Sequence, residues 1–317
     1  MDIRKVLEDI RSDRVKKVII DTDTGNEVDD QFAIAYAIGA ERTEVLSINA
    51  APFTHSDDDD YAEGMEKSYG EIKRVLAAYR PDCEIPVFKG STESMEKNGG
   101  VAVDSPAARN IIDTALASDE PIYVLGIGTA SNIASAIALC PEIKEKIVVI
   151  WQGGTALDSE HLGEYNLVQD YTAGQMLLDS GVPLVLCPAW GVTSVLYTLL
   201  GEFERELKGK SPVCELLWQL INEYYHGANK PGGYGRTIWD IASVAILSAP
   251  ECADVKIVPA PIFSDERVYK FDDSRHEIIY LEKIDRDTVY ADAWKHIGSL
   301  ECTGEYIPRW SEDDVNE

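Results

Sequence analysis

The sequence predicts an α/β protein built on a doubly wound, mainly parallel sheet. Short apolar runs at 18–20, 121–125 and 146–151 recur along the chain and are continuously apolar, as strands covered on both faces are. Between them lie stretches with helical spacing, and this alternation is the pattern of a parallel sheet wound in both directions. No linker-like gap, internal repeat or low-complexity tract interrupts the 317 residues. A single domain over 1–317 is therefore expected.

The run 18–20 reads as the first buried strand, 22–26 as a turn and 31–38 as the first helix, with Asp29 and Asp30 at its positive N-terminal end. A second strand at 44–50 precedes a long amphipathic helix over 57–79. Its leading run Asp57-Asp58-Asp59-Asp60 is either a solvated start favoured by the helix dipole or a second cation site. A short strand at 85–88 leads into a loop over 90–100, and Ser105-Pro106 opens a helix to 116 with an N-cap and a first-turn proline. A strand at 121–125, a helix at 132–139, a strand at 146–151, a helix at 171–179 capped by Asp170 and a strand at 183–187 follow. The regions 193–225 and 237–247 read as helices. Between them the stretch 228–236, with three glycines and a proline, is expected to be an irregular, mobile lid. Strands at 255–259 and 277–281, a helix at 289–296 and an acidic tail from 311 complete the chain.

With 56 acidic and 29 basic residues the formal charge is −27, which repels phosphate backbones and anionic lipid and argues against nucleic-acid and membrane partners. The apolar stretches are too short to span a bilayer. The N-terminus alternates charged and apolar residues and lacks a signal-peptide core, so a cytoplasmic location is expected. Six cysteines, at 83, 140, 187, 214, 252 and 302, show no metal-binding spacing and are expected to be reduced thiols, with Cys187 in a packing role.

The chemistry concentrates after the first strand, where Asp21, Asp23, Asp29 and Asp30 fall within ten residues. Such a cluster repels itself unless a cation sits in it. Helix capping accounts for Asp29 and Asp30, but Asp21 and Asp23 lie on the strand and its exit, where uncompensated charge is costly. The carboxyl end of a strand is where open α/β sheets bind ligands. All the donors are oxygens, and no histidine or cysteine is spaced to join them, so calcium is the expected ion.

Asp21-Thr22-Asp23-Thr24-Gly25 followed by Asp29-Asp30 resembles the DxDxGxDD signature of the nucleoside hydrolase family (inosine-uridine preferring nucleoside N-ribohydrolases), which uses calcium to hold a ribose diol and an attacking water. Three residues separate Gly25 from Asp29 where the family usually has one, so this loop must bulge. Pro86-Val87-Phe88-Lys89-Gly90 is similar to the family's PVFxG strand. Gly128-Thr129-Ala130-Ser131-Asn132-Ile133-Ala134 is similar to its GPLTNIA element, with Ser131 in place of the threonine whose carbonyl binds calcium. From the residues alone, an ordinary turn capped by Ser131 is equally open. Gly153-Gly154 and then Glu164, Asn166 and Asp170 match a GG start and an E-x-N-x-x-x-D run, whose glutamate and asparagine bind ribose hydroxyls. Trp239-Asp240-Ile241-Ala242 resembles the HDxxA element, in which the aspartate completes the calcium shell. Trp239 stands where many members carry a histidine near the leaving base. An indole cannot act as an acid; it can stack on a purine, or simply fill the core. The family's TxxGN at the second strand is missing, unless Asn49 reaches the sugar from an earlier turn.

The resemblance spans residues 18–249 and implies hydrolysis of the N-glycosidic bond of a ribonucleoside or related N-riboside. It implies calcium held by Asp23, Asp30, Asp240 and the Ser131 carbonyl, with Asp23 as general base. Asp29 would bind the ribose diol, Glu164 and Asn166 other hydroxyls, and the chain would form a homodimer or homotetramer. The proton for the leaving base is unassigned, with His226, Tyr225, Tyr234 and Arg236 in or beside the loop before Trp239. Two other readings stay open. One is a haloacid-dehalogenase-type phosphatase with Asp21 as nucleophile and magnesium as the ion, although the later lysine and acidic pair are not found. The other is a noncatalytic nucleoside or sugar binder that keeps these ligands without leaving-group activation.

Overall fold

The computed structural model describes residues 1–56, 60–224, 234–264 and 266–305. The chain opens on a helix that the N-terminal charge alternation conceals, α1 (Ile3–Arg11). Its residues Ile3, Val6 and Ile10 share one buried face, and Asp2 caps it by accepting from the Arg4 N–H. Then follow β1 (Lys16–Thr22), α2 (Asp29–Gly39), β2 (Thr43–Ala50), α3 (Tyr61–Tyr79) and β3 (Val87–Lys89). The helix expected from residue 57 starts at Tyr61 behind an Asp60 cap; Asp57, Asp58 and Asp59 lie outside the described residues. Next come α4 (Pro106–Ala117), β4 (Ile122–Gly126), α5 (Ser131–Leu139), β5 (Ile147–Gln152), α6 (Tyr165–Val168), α7 (Tyr171–Asp179) and β6 (Leu184–Cys187). The Ser105 and Asp170 caps form as the sequence marks them, accepting from the N–H groups of Ala108 and Ala173.

The region after β6 departs from the all-helical expectation. A short strand, β7 (Tyr197–Leu199), precedes α8 (Leu200–Leu207) and α9 (Pro212–Tyr224), and β7 pairs antiparallel with β8 (Gly235–Thr237). Three-residue strands are too short to show a period of two. The last helix start therefore moves to α10 (Ile241–Ser248). Residues 225–233, most of the expected lid, lie outside the described residues, as does the tail from 306. The chain ends with β9 (Ala253–Pro259), β10 (Ile262–Phe263), β11 (Tyr269–Lys270), β12 (Glu277–Ile284) and α11 (Arg286–Gly298).

The eight-stranded central sheet has the order β3-β2-β1-β4-β5-β6-β12-β9. All its pairings are parallel except β9 with β12, so the fold is the mainly parallel, doubly wound sheet expected. Successive strand residues feed opposite layers. Val18, Ile20, Tyr123, Leu125 and Ile150 enter one core, while Ile19, Val124, Val149 and Trp151 enter the other. This two-sided burial is why the strands read as unbroken apolar runs. The chain first winds outward through β1, β2 and β3 and then returns to place β4 on the other side of β1. The carboxyl ends of β1 and β4 thus flank a topological switch point, where a crevice is left open for a ligand.

Candidate active site

At that switch point lies a cavity of about 320 Å³ lined by Asp23, Asn26, Glu27, Asp29, Asp30, Ile127, Gln152, Glu164, Tyr165, Asn166, Ala189, Trp190, Trp239 and Asp240. The β1 exit supplies its floor. Gly25 adopts φ 100°, a left-handed conformation that glycine reaches without strain. Beyond it Asn26 folds back, its main-chain N–H on the Asp23 carbonyl (3.1 Å) and its Nδ2 on Asp23 Oδ2 (3.1 Å). These two bonds close a turn over residues 23–26, ahead of the remaining residues that lead to Asp29. Across from it, a Cβ on Gly128 would stand 3.0 Å from Asp23 Oδ1, so a larger residue in the turn after β4 would crowd the carboxylate.

Asp29 and Asp30 occupy the first turn of α2, and Asp240 sits at the N-cap position of α10. Oxygens of Asp29, Asp30 and Asp240 lie within 4.8 Å of one another, and all three side chains are buried. Burial first, and then the neighbouring carboxylates, raise the pKa of Asp23, Asp29, Asp30 and Asp240 well above the ordinary range. Thr22 Oγ1 donates to Asp30 Oδ1. A group of buried carboxylates with mutual repulsion, only partly offset at Asp29 by Arg236, suits a hard divalent cation. Asp29 stands inside this group, whereas the resemblance assigns it to the ribose diol.

The opposite end of the cavity is built by α6 and the end of β5. Glu164 caps α6, its Oε2 accepting from Gly154 N (2.6 Å) and Leu167 N (3.0 Å) and its Oε1 from Asn166 N (2.9 Å). Burial pushes its pKa up to about 7 against these N–H groups, which pull it down. Asn166 Nδ2 donates to the carbonyls of Gln152 (2.9 Å) and Ile127 (3.2 Å).

Glu164, Asn166, Asp23, Asp29, Asp30, Asp240 and Trp239 thus meet in one cavity. Other expected site residues stand elsewhere. Asn49 is fully buried in β2, paired in register with Asp21 and accepting from Asn110 Nδ2 at 2.8 Å. It is off the cavity wall, because it lies inside the strand and not beyond its end. Ser131 does not cap α5; it is the first helical residue, after Ala130. Its Oγ donates to Asp170 (2.6 Å) and is bonded to the Tyr61 hydroxyl (2.9 Å), and it is not among the residues that line the cavity. Asp21 is also off the wall, accepting from Asn132 Nδ2 at 3.1 Å, with its pKa raised by burial to about 7. That position deprives the phosphatase reading of its nucleophile. Cys187 is a buried free thiol in the core. His226 and Tyr225 fall outside the described residues.

Sequence reasoning did not single out Glu27, Gln152, Tyr165 or Trp190 on the wall. Gln152 had a visible signal, a polar residue ending an otherwise apolar buried strand. Glu27 forms an ion pair with Arg236, whose guanidinium lies 5.2 Å from the Trp239 ring. The inserted loop residue and the tryptophan in the histidine position are thereby joined through one arginine.

The family described as inosine-uridine preferring nucleoside hydrolase matches residues 18–297 of the chain. The pyrimidine-specific ribonucleoside hydrolase RihA of Klebsiella pneumoniae (strain 342) is 27% identical over 261 residues, covering 74% of this chain and 80% of that one. Among solved structures, the purine-preferring ribonucleoside hydrolase from Gardnerella vaginalis superposes with a TM-score of 0.69 at 23% identity, covering 90% of this chain and 99% of that one. The plant nucleoside hydrolase PpNRh1 gives 0.70 at 17% identity with coverage of 90% and 99%. Both likenesses are to the fold.

Proposed function

The chain belongs to the inosine-uridine preferring nucleoside hydrolase family and is an N-glycosyl hydrolase, and from that premise we propose that it cleaves a ribonucleoside in the cavity between β1 and β4, releasing free base and ribose. The buried group Asp29, Asp30 and Asp240 carries this reading, because it faces, across one cavity, the hydroxyl-binding pair Glu164 and Asn166. Asp23, Asp30 and Asp240, with the Ser131 carbonyl, would hold calcium, which when bound orients a water and lowers its pKa.

In this account Asp23 takes the proton of the water that attacks C1′ of the sugar. Burial and the neighbouring Asp29 carboxylate raise its proton affinity, the direction that a general base needs. The C1′–N bond breaks with its electron pair on the base nitrogen, which then gains one proton, so one water is consumed per nucleoside. Asp29 holds the 2′,3′-diol, while Glu164 and Asn166 hold the remaining sugar hydroxyl. Trp239 stacks on the base. The described wall carries no histidine, and His226, which lies outside the described residues and precedes β8 in the sequence, is the donor we assign to the leaving base. A homodimer or homotetramer completes the reading by family resemblance. Among the described residues, no helix is long and apolar enough to cross a membrane.

A panel of ribonucleosides tests the proposal. At least one should release base and ribose in equal amounts, and Asp23→Asn should slow that release by about 10²- to 10⁴-fold. Phosphate release from a nucleotide, with no base released from any nucleoside, would overturn it. Trp239 in the histidine position favours a second reading, a nucleoside binder without turnover, which tight calorimetric binding with no released base would reveal.

A further inference from the structure

Gln152, the last residue of β5, is fully buried on the cavity wall. Its Nε2 donates to Thr193 Oγ1 at 2.6 Å. The Thr193 hydroxyl has a single proton, and Oγ1 lies 3.2 Å from the Pro188 carbonyl and 3.4 Å from the Ala189 carbonyl, both acceptors. It therefore donates to the main chain and accepts from Gln152, which fixes which end of the amide is nitrogen. The other end, Oε1, is a buried acceptor for which the described protein offers no donor. Such an oxygen is costly to leave unmet, and the residue that carries it lines the cavity.

Its neighbours at this end have the same polarity. Both N–H groups of the Asn166 amide are taken by the Gln152 and Ile127 carbonyls, so Asn166 has only its oxygen left to offer. Glu164 is a carboxylate cap. The three side chains together make an end of the cavity that accepts hydrogen bonds and donates none.

Resting on the nucleosidase reading, we propose that Gln152 is a specificity-determining residue whose Oε1 accepts a hydrogen bond from the 5′-hydroxyl of the substrate. With the 2′,3′-diol at the aspartate cluster, the hydroxyl left on a ribose is the 5′ one, and it is the donor that an acceptor-only end selects. A 5′-hydroxyl or 5′-amino group is admitted. A 5′-deoxy or 5′-O-methyl sugar leaves the acceptors unmet, and a 5′-phosphate meets Glu164 with like charge.

The test compares kcat/KM for a ribonucleoside and its 5′-deoxy counterpart in the wild type, Gln152→Met and Gln152→Glu. The wild type should favour the hydroxylated substrate by roughly 10² or more, and Gln152→Met should reduce that ratio about tenfold while sparing the 5′-deoxy substrate. Gln152→Glu, which keeps an acceptor but loses the N–H that Thr193 anchors, should retain more of the preference than Gln152→Met. If Gln152→Met does not fold, Thr193→Val removes only the anchor of the amide and should lower the same ratio several-fold, roughly the share of one neutral hydrogen bond. An unchanged ratio in the folded variant, with nucleoside still hydrolysed, overturns the assignment of Gln152 alone. A wild type that hydrolyses no nucleoside overturns the nucleosidase reading and this inference with it.

Discussion

Removing one charge from the aspartate cluster should stabilise the metal-free protein and destabilise the metal-loaded one. Two unit charges at 4.8 Å, the limit within which the oxygens of Asp29, Asp30 and Asp240 lie, repel by about 3.5 kcal/mol at an effective dielectric constant of about 20. Without an ion the folded chain escapes this repulsion by holding protons, as the raised pKa values of the three groups record. The folded state then binds more protons than the unfolded chain from the ordinary carboxylate range up to the raised values. Stability of the metal-free protein must therefore fall as pH rises through that window. Asp240→Asn removes two of the three mutual repulsions. In chelator at pH 8 the variant should melt above the wild type, by a few kcal/mol at most, or roughly 2 °C per kcal/mol for a chain of this size. In excess calcium the order should reverse, because the same carboxylate is then a ligand whose binding energy is coupled to folding. Scanning calorimetry at pH 6 and pH 8, with and without calcium, reads both signs. A variant that melts lower than the wild type by the same amount in both conditions would refute the reasoning, since that is the behaviour of a packing defect.

Trp239→Ala should lower kcat by about 10- to 100-fold with a smaller effect on ribose binding, and Trp239→Phe should fall between, because stacking strengthens as the base departs. Equal kinetics in all three forms, with only thermal stability reduced, would make the tryptophan a packing residue. Arg236→Met should lower kcat/KM by about tenfold, since it frees both Glu27 and the Trp239 ring from the contact that joins them. Glu27→Gln should do less, because Glu27 is 38% exposed and solvent screens its charge. Wild-type kinetics in Arg236→Met would show that neither side chain needs the arginine.

The doubly wound sheet was legible because its strands are buried on both faces, so 18–20, 121–125 and 146–151 stand out as apolar runs. α1 was not, because its charged residues mask a three-residue apolar face at Ile3, Val6 and Ile10. The pair β7 and β8 escaped detection for want of length. At the site, residues at strand exits and helix starts, such as Asp23, Asp30 and Glu164, were readable from local chemistry and family resemblance together. Asn49 was misplaced by one element of geometry: a polar residue within a strand can serve the strand, and here it sits beside Asp21 in register. Glu27 and Arg236 are 209 positions apart, and nothing local in either segment announces their contact. Gln152 shows the reverse case, a residue whose signal was present in the sequence and whose meaning needed the hydrogen bonds around it.

Hydrolysis in ¹⁸O-labelled water tests the central claim most directly. If the protein breaks the bond between C1′ and the base nitrogen by water attack on the sugar, mass spectrometry of the products should find one labelled oxygen in the ribose and none in the base. Label in the base, or in inorganic phosphate with the nucleoside left intact, would contradict the account.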